Sequence, residues 1–230
     1  MKKVVTILLL VGLNIMASDG LKTYRKRRAL KKTSKVEPYG KIKKSRSEKA
    51  LYVVQKHDAS HLHYDLRLEI DGVLKSWAVP KGIPGKTGIR RLAMPTDDHP
   101  MEYGDFEGVI PEGHYGAGTV MVWDTGTFTN IKEEKGMLVP LDVCYERGTI
   151  EVFIQGKKIW GPYALIKAGN LANKESWILL RMKKDADLIK KPANRKTLRR
   201  AQGERMGKDV SALTGRTMKQ IAKDHDAEWE

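Results

Sequence analysis

Residues 63–79 (HYDLRLEIDGVLKSWAV) constrain the fold more than any other segment. Polar and apolar residues alternate over the first eight positions, which is the period of a half-buried β-strand. Asp71-Gly72 follows, and this dipeptide favours the type I′ turn that joins antiparallel strands. The turn sets a register in which Ile70 pairs with Val73, Arg67 with Ser76, and Asp65 with Ala78. The segment therefore predicts a β-hairpin with one polar and one apolar face.

Further short runs rich in β-branched and aromatic residues follow the hairpin, separated by glycine turns: RRLAM, GTVMVWDTGTF, RGTIEVFIQGKKIWGPYALIK and SWILLRMK. Helical periodicity is scarce. Short helices are predicted only near residues 24–30 and within residues 210–225 (VSALTGRTMKQIAKDH). Many short strands with few helices are typical of an antiparallel barrel or sandwich, so the expected fold class is mainly β.

The chain divides into four segments. Residues 1–19 join two lysines to an apolar run and small residues, which fits a signal peptide or an extension before an internal start at Met16. Residues 20–50 form a basic arm, residues 51–184 the β domain, and residues 185–230 a basic segment with one short helix. The length of 230 residues allows one well-buried domain with flanking arms.

The positive charge of the chain lies in its flanks. The whole chain carries +15, whereas residues 22–49 carry +11 and residues 181–205 carry +7, which leaves the remainder near neutral. Basic arms around a neutral domain suggest contact with a phosphate backbone, because neutralised phosphates release counterions. A solvated tail explains the same charge equally well, and composition does not decide between the two.

The polar face of the predicted strand carries candidate metal ligands. Alternation places His63, Asp65 and Arg67 on one face, and Leu62, Tyr64 and Leu66 on the core face. His57 lies upstream, where a bend could bring it over the polar face. Two imidazoles and a carboxylate suit Mn, Fe or Zn, although a polar strand with ordinary histidines is the alternative. His61 is expected at the surface.

Other features narrow the chemistry. The single cysteine, Cys144, excludes a disulfide framework and a CxxC zinc site. Lys81 follows the hairpin, Arg90 and Arg91 open the next strand, and a later loop carries His99 and Tyr103. Cationic side chains beside a metal suit phosphoester hydrolysis, whose transition state spreads negative charge over phosphoryl oxygens. GHYGAG is predicted to be a tight turn rather than a phosphate loop.

Two blocks, VVQKHDASHLHYDLRLEIDGVLKSWAVPKG and RRLAMPTDDHPMEYGDFEGVIPEGHYGAGTVMVWDTG, closely resemble the 3′-phosphoesterase domain of bacterial ATP-dependent DNA ligase D. WGPYALIK, SWILLRMK and SALTGRTMKQIA resemble the same family, so the resemblance covers most of residues 22–222. The chain lacks room for ligase and polymerase modules and is expected to be a stand-alone member. The resemblance implies a small antiparallel β-barrel with short flanking helices.

The resemblance also implies an activity and its residues. The family is manganese-dependent and heals DNA 3′ ends, removing a terminal ribonucleoside and then the 3′-phosphate to leave a 3′-OH. By position, the implied metal ligands are His57, His63 and Asp65. The implied phosphate contacts are Arg67, Arg91 and Lys81, supported by Gln55. The implied catalytic residues are Arg67 and Lys81, with His99 at the transition state and Tyr103 in the nuclease step.

The N-terminal arm departs from the family pattern. Glu37 before Pro38 matches, and Arg27 or Arg28 supplies an arginine, but the family's aspartate has no counterpart and the spacing is longer. We therefore expect phosphatase activity more firmly than removal of a ribonucleoside. His61 stands where the family commonly has arginine.

Three functions follow as hypotheses. The first is the 3′-end-healing enzyme, with DNA 3′ ends on primer–templates or nicked duplexes as substrate and a separate ligase and end-joining proteins as partners. The second is a non-catalytic module that binds DNA ends and recruits a repair ligase. The third is an exported phosphatase or nuclease, suggested by the apolar N-terminus. The first predicts location in the cytoplasm, at the nucleoid, without a membrane partner.

Overall fold

The computed structural model describes Leu21, residues 50–183 and residues 209–229. Eleven strands are found there, numbered in chain order: β1 Ala50–Asp58, β2 Leu62–Ile70, β3 Val73–Val79, β4 Arg90–Pro95, β5 Gly108–Ile110, β6 Gly118–Asn130, β7 Glu133–Glu134, β8 Met137–Leu138, β9 Thr149–Gly156, β10 Trp160–Leu171 and β11 Lys174–Arg181. The predicted helix near residues 24–30, most of the basic arm and residues 184–208 lie outside the described residues.

Eight of these strands form a closed antiparallel barrel. Their order is β1-β2-β3-β4-β11-β10-β9-β6, and pairing between β6 and β1 closes the ring. β5 adds to the outer edge of β6, while β7 and β8 form a separate hairpin. Of the two architectures that the strand pattern allowed, the barrel is confirmed. Closure leaves no free sheet edge along these eight strands, which a sandwich would leave.

The hairpin register predicted from the Asp71-Gly72 turn is confirmed, including the pairing of Arg67 with Ser76 and of Asp65 with Ala78. The expected bend at His57 is wrong. β1 continues as regular strand through His57, which lies directly opposite His63 on β2. Because directly paired residues project to the same side of a sheet, His57 reaches the polar face without a bend.

The two faces of β1 and β2 have different environments. The inner face fills the barrel with buried side chains that include Tyr52, Leu66, Leu68, Trp77 and Trp177. On the outer face of the barrel, a second apolar cluster covers part of the sheet; it consists of Leu74, Tyr103, Phe106, Ile110 and Val120. Leu62 was predicted to face the core, but its side chain is 48% exposed because it lies at the first position of β2, beyond the packed interior.

Helices are short in the described part of the chain. A 3₁₀ helix spans Met101–Asp105, helix α1 spans Leu141–Glu146, and helix α2 spans Met218–Asp224. The predicted C-terminal helix is confirmed as α2. Its N-cap is Thr217, whose side chain forms a capping box with that of Gln220, and Ile221 is buried with the barrel core. None of the helices described has the length and apolar character required to cross a membrane.

Candidate metal and anion site

Two neighbouring strands bring three candidate metal ligands together on the outer wall of the barrel. His57 on β1 faces His63 on β2, and Asp65 follows two residues later on the same face. The two imidazole centroids are 4.8 Å apart. The Asp65 carboxylate lies 3.8 Å from His57 Nδ1 and 3.6 Å from His63 Nε2. One ligand atom from each residue lies within 4.8 Å of the others, so the predicted triad is assembled.

The electrostatics of the triad keep its carboxylate ionised. Burial by itself would raise the pKa of Asp65, but the adjacent Arg67 guanidinium, together with the two nearby imidazoles, lowers it to about 2. Asp65 is therefore an anion at any pH near neutrality. The charge is buried, with the carboxylate side chain only 9% exposed.

These residues fit a divalent transition metal. Two imidazole nitrogens and one carboxylate oxygen form a donor set with open coordination positions, and Mn, Fe and Zn accept such sets. His57 Nε2 is buried and has no hydrogen-bond partner among the described residues. An unpaired buried nitrogen is costly unless a ligand occupies it.

A buried arginine lies directly beside the triad. Arg67 is 2% exposed, and its guanidinium donates to Asp65 Oδ2 at 3.0 Å, to Gln55 Oε1 at 2.6 Å and to Ser76 Oγ at 2.8 Å. The amide nitrogen of Gln55 in turn donates to the backbone carbonyls of Tyr103 and Phe106, at 2.9 and 3.0 Å. The cation is thus held in one orientation by neighbours on three strands and one loop.

His99 and Tyr103 come from the segment after β4, far from β2 in sequence; His99 lies in the loop and Tyr103 in the 3₁₀ helix. The backbone of His99 pairs with Leu74 on β3, which places the imidazole over the site. His99 Nδ1 lies 2.9 Å from Arg67 Nη1 and 2.7 Å from the Asp97 carbonyl. The carbonyl can only accept and the guanidinium can only donate, so the two contacts make opposite demands on Nδ1 and do not assign its proton. The Tyr103 ring lies against His99 at a tilt of 35°, with centroids 4.7 Å apart.

The remaining predicted residues are placed differently. Lys81 is exposed and lies two residues beyond the end of β3. Arg91 pairs with Leu179 and shares strand parity with Ala93, a core residue, whereas the site lies on the outer face. The structure places neither in the hydrogen-bonded cluster around Arg67, so their phosphate contacts stay predictions. The arm candidates Arg27, Arg28 and Glu37 lie outside the described residues.

Several neighbours of the site had no signal in the sequence. The turn predicted that Ser76 pairs with Arg67 but not that its hydroxyl accepts a hydrogen bond from the guanidinium. Phe106 supplies a backbone carbonyl, which no residue pattern reveals. GHYGAG forms the predicted tight turn, and a Cβ placed on Gly116 would lie 3.8 Å from the His57 ring. The turn therefore flanks the candidate metal site.

The fold and the site define a β-barrel with a metal-type triad and a fixed cation on its outer wall. Residues 55–167 match the family described as the DNA Ligase D 3′-phosphoesterase domain. The barrel of this chain belongs to that domain family.

Curated relatives agree with this assignment. The multifunctional non-homologous end joining protein LigD of Pseudomonas aeruginosa is 45% identical over 169 residues, which is 73% of this chain and 19% of the relative. The corresponding proteins of Mycobacterium tuberculosis and Mycolicibacterium smegmatis are 41% and 43% identical, over 74% and 72% of this chain and 21% of each relative. The chain spans about a fifth of the length of the curated relatives it matches.

Proposed function

We propose that this chain is a metal-dependent phosphoesterase, with Mn²⁺ as its ion, that heals DNA 3′ ends during break repair. It would remove a 3′-phosphate, and a terminal 3′-ribonucleoside where one is present, to leave a 3′-OH. One observation carries the proposal: the His57, His63 and Asp65 ligand set lies beside a buried Arg67 whose guanidinium is hydrogen-bonded to Asp65, Gln55 and Ser76. The membership of the barrel in the DNA ligase D 3′-phosphoesterase family supports the DNA substrate.

The chain's own residues have distinct roles in this proposal. When bound by the triad, a divalent ion supplies Lewis-acid polarisation of a phosphoryl oxygen. Arg67 is held rigidly as a cation, so it can stabilise negative charge on the phosphoryl group without reorganisation. In its imidazolium form His99 would donate Nδ1–H to the Asp97 carbonyl and transfer the Nε2 proton to the leaving 3′ oxygen. Tyr103 holds the His99 ring and packs below the Arg67 guanidinium.

DNA contacts outside the triad and Arg67 are proposed from the charge of the chain and from its resemblance to the family. Lys81 and Arg91 would contact the phosphate, and Glu37 with Arg27 or Arg28 would act in removal of the ribonucleoside. The basic flanks would follow the DNA backbone, with affinity that falls as salt rises. A separate DNA ligase would seal the healed end together with end-joining proteins. This activity would require a location in the cytoplasm at the nucleoid, and export is the alternative.

An end-healing assay tests the proposal. Primer–templates that end in a 3′-phosphate or a 3′-ribonucleotide are incubated with the protein in Mn²⁺, Mg²⁺, Zn²⁺ or chelator. We expect Mn²⁺-dependent conversion to 3′-OH, and loss of about 100-fold or more of the rate in His63→Ala. His61→Ala is the matched control, because this neighbouring histidine is exposed, and it should stay within about threefold of wild type.

The outcome separates the candidate functions. Salt-sensitive DNA binding without turnover in any metal would show that the protein is not an enzyme of this kind and would favour the DNA-end-binding module. Equal loss in His61→Ala and His63→Ala would show that the triad is not the metal site. A mature N-terminus near Ser18 in the native protein would favour export.

A further inference from the structure

The last described residues of the chain pack behind the candidate site. Ala227 and Trp229 form backbone hydrogen bonds with Val109 on β5: Val109 N donates to Ala227 O at 2.9 Å, and Trp229 N donates to Val109 O at 3.3 Å. Gly108 leaves no room at this contact, since a Cβ there would lie 2.2 Å from the Ala227 carbonyl oxygen. The C-terminal segment, residues 209–229, therefore packs tightly against β5, the strand that follows the 3₁₀ helix.

Side chains fasten the same segment. Arg216 donates to Glu107 at 3.2 Å, to Asp224 at 3.1 Å and to Asp226 at 2.8 Å. Glu107 also accepts a hydrogen bond from the Thr214 hydroxyl at 2.5 Å. Glu107 is 7% exposed and directly follows Phe106, so these charged contacts are anchored next to the site. The family match ends at residue 167, and the segment lies beyond it.

The Trp229 ring contacts the two residues that position the buried arginine. It lies edge-to-face on Tyr103, with centroids 4.8 Å apart, and 5.3 Å from Phe106. The carbonyls of both residues accept from Gln55, which in turn accepts from Arg67. The Tyr103 ring itself lies 4.8 Å below the Arg67 guanidinium. Trp229 thus packs against the two residues that hold Gln55 and, through it, Arg67.

We infer that Trp229 is a positioning residue for the reaction proposed above, acting through Tyr103 on Arg67 and His99. The inference rests on the proposed function. It extends the functional unit to the C-terminus of the chain, about sixty residues beyond the family match. Removal of the indole frees the Tyr103 ring on the side away from the site. A site built around a fixed cation loses transition-state stabilisation when that cation becomes mobile, and ground-state binding of DNA suffers less.

Trp229→Ala tests the inference on the full chain with the 3′-phosphate primer–template. We expect kcat to fall about tenfold, the size of a lost edge-to-face aromatic contact, with KM changed less than about threefold. Trp229→Phe keeps a ring edge and should recover most of the rate. Trp160→Ala is the matched control, because this half-buried tryptophan packs edge-to-face on Phe153 elsewhere in the barrel. Its kcat should match wild type.

A double-mutant cycle distinguishes positioning from general support of the fold. If Trp229 acts through Tyr103, then Trp229→Ala lowers kcat by less than about threefold in a Tyr103→Ala background. Mn²⁺ affinity of Trp229→Ala, measured by calorimetry, should equal wild type because the triad is untouched. Should Trp229→Ala not melt cooperatively, Trp229→Leu, which retains apolar volume without a ring edge, is compared with Trp229→Phe.

Three results would overturn the inference: an unchanged kcat in Trp229→Ala, an equal loss in Trp160→Ala, or full additivity with Tyr103→Ala. Failure of the proposed function is distinct, because wild-type protein would then show no turnover in any metal. If wild type is active and Trp229→Ala has the same kcat, the proposed function is retained and only the positioning role of Trp229 is refuted.

Discussion

Replacement of Arg67 by methionine should be among the most damaging substitutions of a charged residue in the barrel. Methionine keeps the apolar volume of the side chain but removes the guanidinium and its hydrogen bonds to Gln55, Ser76 and Asp65. Arg67 is 2% exposed, so water cannot replace these contacts without opening the packed wall. The Asp65 carboxylate then stays buried without its guanidinium partner.

The magnitude follows from the burial of this pair. Removal of one partner from a buried ion pair costs about 3–5 kcal/mol, because the remaining charge is left uncompensated. Unfolding free energies of single domains are about 5–15 kcal/mol, so Arg67→Met should remove a large share of the total. At about 2–4 °C per kcal/mol, the melting temperature should fall by about 10 °C.

Urea denaturation of wild type, Arg67→Met and Arg147→Met measures this difference. Arg147 pairs with Glu134 at 3.1 Å, but the two side chains are 60% and 52% exposed, so its loss should cost less than about 1 kcal/mol. Equal midpoints for the two variants would refute the argument that Arg67 is structurally required by its buried partners. A change in m-value without a change in midpoint would point instead to a different unfolded state.

Three further predictions concern other parts of the molecule. Gly108→Ala should lower stability by about 1–3 kcal/mol and speed trypsin cleavage of the C-terminal segment, because its Cβ meets the Ala227 carbonyl; unchanged proteolysis would contradict this. Burial lowers the pKa of Lys158 to about 8 from its ordinary value of 10.5. Between about pH 8 and pH 10.5 the unfolded chain therefore keeps a proton that the folded protein has lost, and the free energy of unfolding rises with pH over this range. Urea denaturation from about pH 7 to pH 10 should show this rise in wild type and its loss in Lys158→Met, amounting to about 1–3 kcal/mol. Cys144 is 1% exposed and burial raises the pKa of its thiol, so a thiol reagent should label it only on unfolding; labelling of the native protein at the rate of a free thiol would disprove this.

The sequence carried the local part of the fold because local physics decides it. Asp71-Gly72 specifies a two-residue turn, and the turn sets which residues face each other on β2 and β3. Alternation then places His63, Asp65 and Arg67 on one side of the strand, and the capping residues of α2 mark where that helix begins. The prediction that Leu62 is buried was wrong, because alternation shows which face of a strand a side chain is on but not whether that face is covered at the end of the strand.

Long-range pairing decided the rest. His57 joins the triad only because the pairing of β1 with β2 continues as far as Asp58, and β6 closes the barrel across a bulge at Val54/Gln55. His99 approaches Arg67 through a backbone bridge to Leu74, and Trp229 reaches Tyr103 from 126 positions later in the chain. The sequence alone determined which side chains share a strand face, since parity and turn type are properties of neighbouring residues. Tertiary structure alone decided which strand faces meet, because those faces belong to segments that are distant in sequence and pack together only in the folded barrel.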